Sequence, residues 1–145
     1  MGAARQHSER LERLVLGGLA DLGKLREVVR LLLLDCAQDD VIDAVLVADE
    51  LGTLACEYGT LPVDVSVSRS YARPALRIAM NSPYLGLPIS PSRSRTSRRV
   101  LEACAIDWGI GNEHEGTTLW ACVQLPSAVP EPEHDGFPEP RVSAS

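Results

Sequence analysis

Residues 40–59 read DVIDAVLVADELGTLACEYG, and this stretch decides the fold. Wound at 3.6 residues per turn, it places apolar side chains on nearly every face, the mark of a central, buried helix. Asp39 or Asp40 is placed to cap its start and Gly59 to end it. Glu50 and Leu54 stand four residues apart, so they share one face. A carboxylate at that point can orient a nucleophile.

Working upstream, Leu22, Leu25, Val28, Val29, Leu32, Leu33 and Cys36 repeat at helical spacing behind Asp21, a second capping residue. Leu11, Leu14 and Leu16 form a short apolar stretch ended by Gly17 and Gly18, which suits an edge strand. Downstream, Val63, Val65 and Val67 alternate with Asp64, Ser66 and Ser68. Leu76, Ile78 and Met80 then alternate with Arg77, Ala79 and Asn81. Two half-buried strands joined as a hairpin follow from that pattern. Residues 82–96 are rich in Pro and Ser and read as a loop. A third helix is expected from Ser97 to Asp107, with Val100, Leu101 and Cys104 inward. Trp108–Gly111 begins a strand, and Leu119, Ala121, Val123 and Leu125 alternate along the last one.

The expected organisation is a flexible N-terminus over 1–10, one domain over 11–125, and a disordered Pro-rich acidic tail over 126–145. Its fold class is α+β: a two-layer sandwich in which a mixed sheet is covered on one face by three helices.

A chain of 145 residues is long enough for a single core. The net charge of −6 argues against direct binding to nucleic acid, which wants a basic face. There is no apolar run of bilayer length, and the start MGAARQHSERLERL lacks the apolar region of a signal peptide, so a cytoplasmic protein away from membranes is expected. Cys36, Cys56, Cys104 and Cys122 form no CxxC pair and read as buried free thiols. His7, His114 and His134 are scattered, and no metal site is expected.

Four segments together resemble the small anti-sigma-factor serine-kinase branch of the histidine-kinase-like (GHKL) ATPases, over roughly residues 11–125. DELGTLACEYG is similar to the family's core helix: Glu50 and Gly59 keep their places, and Leu54 stands where the family has a metal-binding Asn. LRIAMNSP (76–83), ending at Pro83, looks like the strand whose terminal Asp meets adenine, with Asn81 in that place. TSRRVLEACAIDWG looks like the third helix and its following strand, with Arg95 and Ser97 where the family has phosphate-binding glycines, and with Arg98 beside them. GTTLWACVQL is close to the final strand, and Thr118 fits the threonine near the adenine.

The resemblance implies ATP and Mg²⁺ as cofactors, a sigma factor or an anti-sigma-factor antagonist as partner, and a homodimer. It makes Glu50 a catalytic base and Leu54, Asn81, Pro83, Arg95, Ser97, Arg98 and Thr118 the nucleotide-site positions. Read from the residues alone, Glu50 serves equally as a helix glutamate bonded to a neighbour, and Asn81 as a turn residue. Arg93, Arg95, Arg98 and Arg99 form either a solvated face or an anion site. Tyr58 and Trp120 either stack on a base or pack in the core. The departures all fall on nucleotide positions while the scaffold is intact. They point to a regulatory protein that binds partners with weak or lost ATP turnover. The alternative is an active protein serine kinase acting on an antagonist.

Overall fold

Valine at every second position from 63 to 67 gives strand β2 one apolar face, and that face turns toward two helices. The computed structural model describes residues 9–86, 99–113 and 116–128. Strand β1 (Glu9–Leu16) leads through a short 3₁₀ turn (Leu19–Asp21) into helix α1 (Leu22–Leu32) and helix α2 (Gln38–Tyr58). Then come β2 (Val63–Ser70), β3 (Ala75–Ser82), a helix α3 described over 99–104, β4 (Asp107–Glu113) and β5 (Gly116–Gln124). The sheet order is β1-β2-β3-β5-β4. All four ladders are antiparallel, where a mixed sheet was expected. The α1–α2 excursion joins β1 to β2, β2 is followed directly by β3 and β4 by β5, and β3 pairs with β5 across the segment that carries α3 and β4.

The two-layer α+β sandwich forms as the alternation requires. Leu16, Val63, Val65, Val67, Leu76, Ile78, Met80, Leu119, Ala121 and Val123 point to one side. There they meet Leu25, Val29 and Leu32 of α1 and Ala44, Val47, Ala48, Leu51 and Leu54 of α2. Helix α1 lies over β1 and β2, and α2 over β3 and β5. Gly52 lets the two helices cross closely, since a Cβ there would meet Leu22 Cδ2 at 2.5 Å. Arg26 on α1 donates to both carboxylate oxygens of Asp49 on α2, at 2.9 and 3.1 Å.

The helix ends differ from the simple capping scheme. Asp21 does stand at the N-cap of α1, but its carboxylate accepts from the Gly17 amide at 2.7 Å instead of capping the helix. Helix α2 begins after Ala37. Its Ala37 amide donates to Ser127 Oγ at 2.8 Å. Asp40, buried in the first turn, accepts from the Ser127 amide at 2.9 Å and from the Ser127 hydroxyl. A residue 90 positions away therefore satisfies the helix start. Leu125 and Ala128 are buried alongside. Pro126–Ala128, assigned by composition to the tail, thus pack on the domain; residues 129–145 lie outside the described residues. Strand β1 likewise begins two residues earlier than expected, at Glu9.

One inward position of β2 is charged. Arg69 is fully buried. Its guanidinium grips Asp35 with two bonds of 2.7 and 2.9 Å, donates to the Leu32 carbonyl at 2.8 Å, and lies 4.3 Å from the ring centroid of Tyr71. Among the described residues its Nε has no hydrogen-bond partner. This fork ties the last inward position of β2 to the end of α1.

Two predictions follow from these ties. The hydrogen bond from Arg69 holds the Asp35 carboxyl below the usual carboxylate range. A depressed acid contributes stability above its unfolded pKa of about 3.9 and loses it as pH falls through the folded value. Asp35→Ala should cost about 2 kcal/mol at pH 7, because a buried guanidinium loses its counter-ion while the half-exposed carboxylate is already partly screened. The wild type should lose that advantage progressively below about pH 4, and adding Arg69→Met should recover part of it. Urea melts from pH 7 to pH 3 measure all three. Ser127→Ala should cost about 1 kcal/mol through the lost helix-start bonds, read in the same melts.

Candidate functional site

The pleat sorts the candidate residues onto opposite sides of the sheet. In β3, Ile78, Met80 and Ser82 face the helices, while Arg77, Ala79 and Asn81 face away from them. In β5, Thr117, Leu119 and Ala121 face the helices, and Thr118, Trp120 and Cys122 face away. Asn81 pairs directly with Thr118, whose hydroxyl donates to Asn81 Oδ1 at 3.2 Å. The structure therefore brings these two candidates together. It sets them on the face opposite the helix layer that carries Glu50 and Leu54.

On the helix side, the end of β3 presents Ser82. It pairs with Thr117, which in turn donates to Asn112 Oδ1 at 3.2 Å. Ser82 is buried, and its hydroxyl accepts from the Thr60 amide at 2.8 Å, while its single proton lies between the Thr60 and Tyr84 carbonyls at 2.9 and 2.8 Å. The Thr60 amide also donates to the Tyr84 carbonyl, and the Gly86 amide to the Tyr58 carbonyl. Gly59 bridges Leu85. Here Gly59 is extended (φ −103°), so close packing selects it: a Cβ would meet the Ala55 carbonyl at 2.5 Å and Ser82 Oγ at 3.0 Å. Residues 82–86 are thereby stitched to the end of α2, and Leu85 enters the core.

Leu54 is 6% exposed and belongs to the same core, whereas Glu50 is half-buried. Pro83 is exposed and follows the buried Ser82. Gly116, at φ +147°, sits where a Cβ would strike the Ser82 carbonyl. Only glycine suits both the conformation and the space. Arg93, Arg95, Ser97 and Arg98 lie outside the described residues; Arg99 is exposed on α3. Among the described candidates, Leu54 is packed in the core and offers no oxygen to a metal, while Asn81 and Thr118 lie across the sheet from it, on the face away from α2.

Ser82 and Thr117 are the residues that the sequence-based assignment passed over. The signal was present, because the inward runs Ile78-Met80 and Leu119-Ala121 extend by simple alternation to Ser82 and Thr117.

The outer face holds a groove of about 680 Å³ lined by Arg13 of β1, Ser66 of β2, Arg77 and Asn81 of β3, and Thr118 of β5. Arg77 lies 5.3 Å from the centroid of Trp120. Trp120 packs over Gly109, where a Cβ would meet its ring at 3.0 Å. Trp120 is thus an outer-face residue, while Tyr58 packs partly against the core. The four cysteines are free and half-buried, and burial pushes each thiol pKa up. Among the described residues, no three His, Cys, Asp or Glu side chains gather as a metal site would require, and no helix is long and apolar enough to cross a membrane.

No protein-family model matches the chain, and no curated protein matches it. Among solved structures, it is similar to the histidine kinase domain of the blue-light-activated histidine kinase of Erythrobacter litoralis EL346. The identity is 15% and the TM-score 0.49, over 74% of this chain and 61% of that one. This chain therefore spans less than two thirds of that structure's length.

Leu54→Asn should cost about 3 kcal/mol, since it removes packed methyls and buries an amide. It should confer no Mg²⁺-ATP binding. Urea denaturation and calorimetry on the single mutant check the two outcomes separately.

Proposed function

We propose that this protein is a regulatory domain of histidine-kinase-like architecture. It acts by binding partner proteins and does not turn over Mg²⁺-ATP in the ordinary way. One observation carries this reading: Leu54 is sealed in the core while Asn81 and Thr118 sit across the sheet from it. A triphosphate carries a large charge, which needs a metal, backbone amides or arginines converging on one point. Leu54, Asn81 and Thr118 do not converge.

The stitching of residues 82–86 to the end of α2 supports the same reading. Ser82 Oγ, the polar group of β3 nearest that helix end, has its proton committed to the Thr60 and Tyr84 carbonyls and accepts from the Thr60 amide. The partners we propose come from the sequence resemblance: a sigma factor, an anti-sigma-factor antagonist, or both, in a cytoplasmic partner-switching system.

Two measurements test this. Calorimetry with ATP, with and without Mg²⁺, should give no saturable heat, and the melting temperature should stay fixed. A ligand at about a hundred times its Kd would otherwise add about 2.7 kcal/mol. Purified sigma factors and antagonist proteins should include one that binds in the absence of nucleotide. A Mg²⁺-dependent micromolar Kd for ATP, or phosphate transfer to an antagonist serine, would replace this reading with that of a kinase.

A further inference from the structure

Among the described residues, no element covers the outer face of the sheet, and its groove is lined by Arg13 and Arg77. Both are exposed, and among the described residues neither enters an ion pair. An exposed guanidinium without a carboxylate is a ready donor to one. The ladder fixes the order of the groove. Counting from the β2–β3 turn, Arg77 pairs with Ser68, Arg13 pairs with Ser66 one step further, and Val15 pairs with Asp64 a step beyond that. Ser66 and Ala79 floor the space between the arginines.

The chain itself carries carboxylates to this end of the sheet. The Leu125 amide, just after β5, donates to the Pro74 carbonyl in the β2–β3 turn at 3.0 Å. Ser127 and Ala128 then pack beside the first turn of α2. Residues 129–140 read VPEPEHDGFPEP. Glu133, Asp135 and Phe137 alternate, so in an extended chain they share one face and step by about 7 Å. Arg77, Arg13 and Val15 step along the groove by the same amount, two residues of ladder at a time. Pro132 and Pro138 favour extended backbone at the residues before them, Glu131 and Phe137.

We infer that residues 133–137 of this chain dock in the groove: Glu133 and Asp135 meet Arg77 and Arg13, and Phe137 covers Val15. The order of charges favours this occupant. Asp64, the carboxylate among the groove's lining residues, lies at the far end beside Val15, where the segment brings an uncharged ring. Val15 is 51% exposed in the absence of a cover. Reach favours it as well. Five residues from Ala128 to Glu133 span at most about 18 Å, enough to round the end of a sandwich whose layers lie about 10 Å apart.

Surface charge pairs are individually weak, but a short tether holds the segment at an effective concentration of about a millimolar. A contact too weak to form between molecules therefore forms within one. So docked, the segment closes the groove to other acidic chains. The inference rests on the groove and not on the proposed partners or the nucleotide site.

Two-dimensional ¹H–¹⁵N NMR of the full chain tests it, through the amides of Glu133, Asp135 and Phe137. In about 0.02 M salt these should be shifted from their positions in a free peptide of residues 129–141, and about 0.5 M salt should remove most of the shift. Arg13→Gln with Arg77→Gln should abolish it, while the amides of the core stay in place and report an intact fold. Glu133→Lys with Asp135→Lys should abolish it without any change to the sheet. Adding Arg13→Glu and Arg77→Glu to that second variant should restore it. None of these shifts should depend on protein concentration. Wild-type amides that match the free peptide would overturn the inference; a groove that then bound added polyglutamate would belong to an acidic partner instead. Shifts that survive the arginine replacement would place the segment elsewhere, and shifts that grow with protein concentration would make the contact one between molecules. Either result would overturn it equally.

Discussion

The period of two along β3 is the constraint on which the molecule's chemistry depends. Met80 must face the helices, because the core closes over it; Asn81 must then face away, and Ser82 must return. No rotamer can undo this assignment, since a slip of one residue would expose Ile78 and Met80 together. The strand's apolar residues thereby determine which polar residue reaches the end of α2. It is a serine whose hydroxyl is bonded within the turn that follows. Leu54, one turn beyond the half-buried Glu50, is part of the hydrophobic core.

Much of the architecture was legible because it rests on periodicity. The two-layer sandwich, the long buried α2 and the β2–β3 hairpin each follow from apolar spacing. Asn81 and Thr118 were each assigned to the surroundings of the adenine. Neither their pairing with each other nor their facing was read, because motif matching weighs residue type and order above parity, and Asn81 stands one residue before the inward position. The antiparallel course of every ladder was less legible, since spacing within a strand says nothing of its neighbour's direction. Ser127 was obscured by composition: a Pro-rich, acidic neighbourhood reads as tail, while the partner that orders Ser127, Asp40, lies 87 residues away.

Arg69 shows why a buried charge can escape a reading by hydropathy. It occupies an inward position after three valines, where a fourth apolar residue would fit the pattern. Its guanidinium instead reaches past the core to Asp35 and to a helix-end carbonyl. The α1–α2 connection lacks a glycine between Leu32 and Gln38, and this fork supplies a fixed partner for its backbone. Its contribution lies as much in specifying where α1 stops as in stability, since replacing a buried ion pair with apolar groups often costs little.

The docking of Ser127 has a mechanical side. The chain passes from β5 through Leu125 to a point where one hydroxyl and one amide are bonded to the first turn of α2. A pull applied beyond Ala128 would load these bonds before it reached the ladder between β5 and β3. The load would fall on α2, the longest helix described, near its buried Asp40. The last strand is thereby shielded from tension, and the central helix becomes the element that registers it.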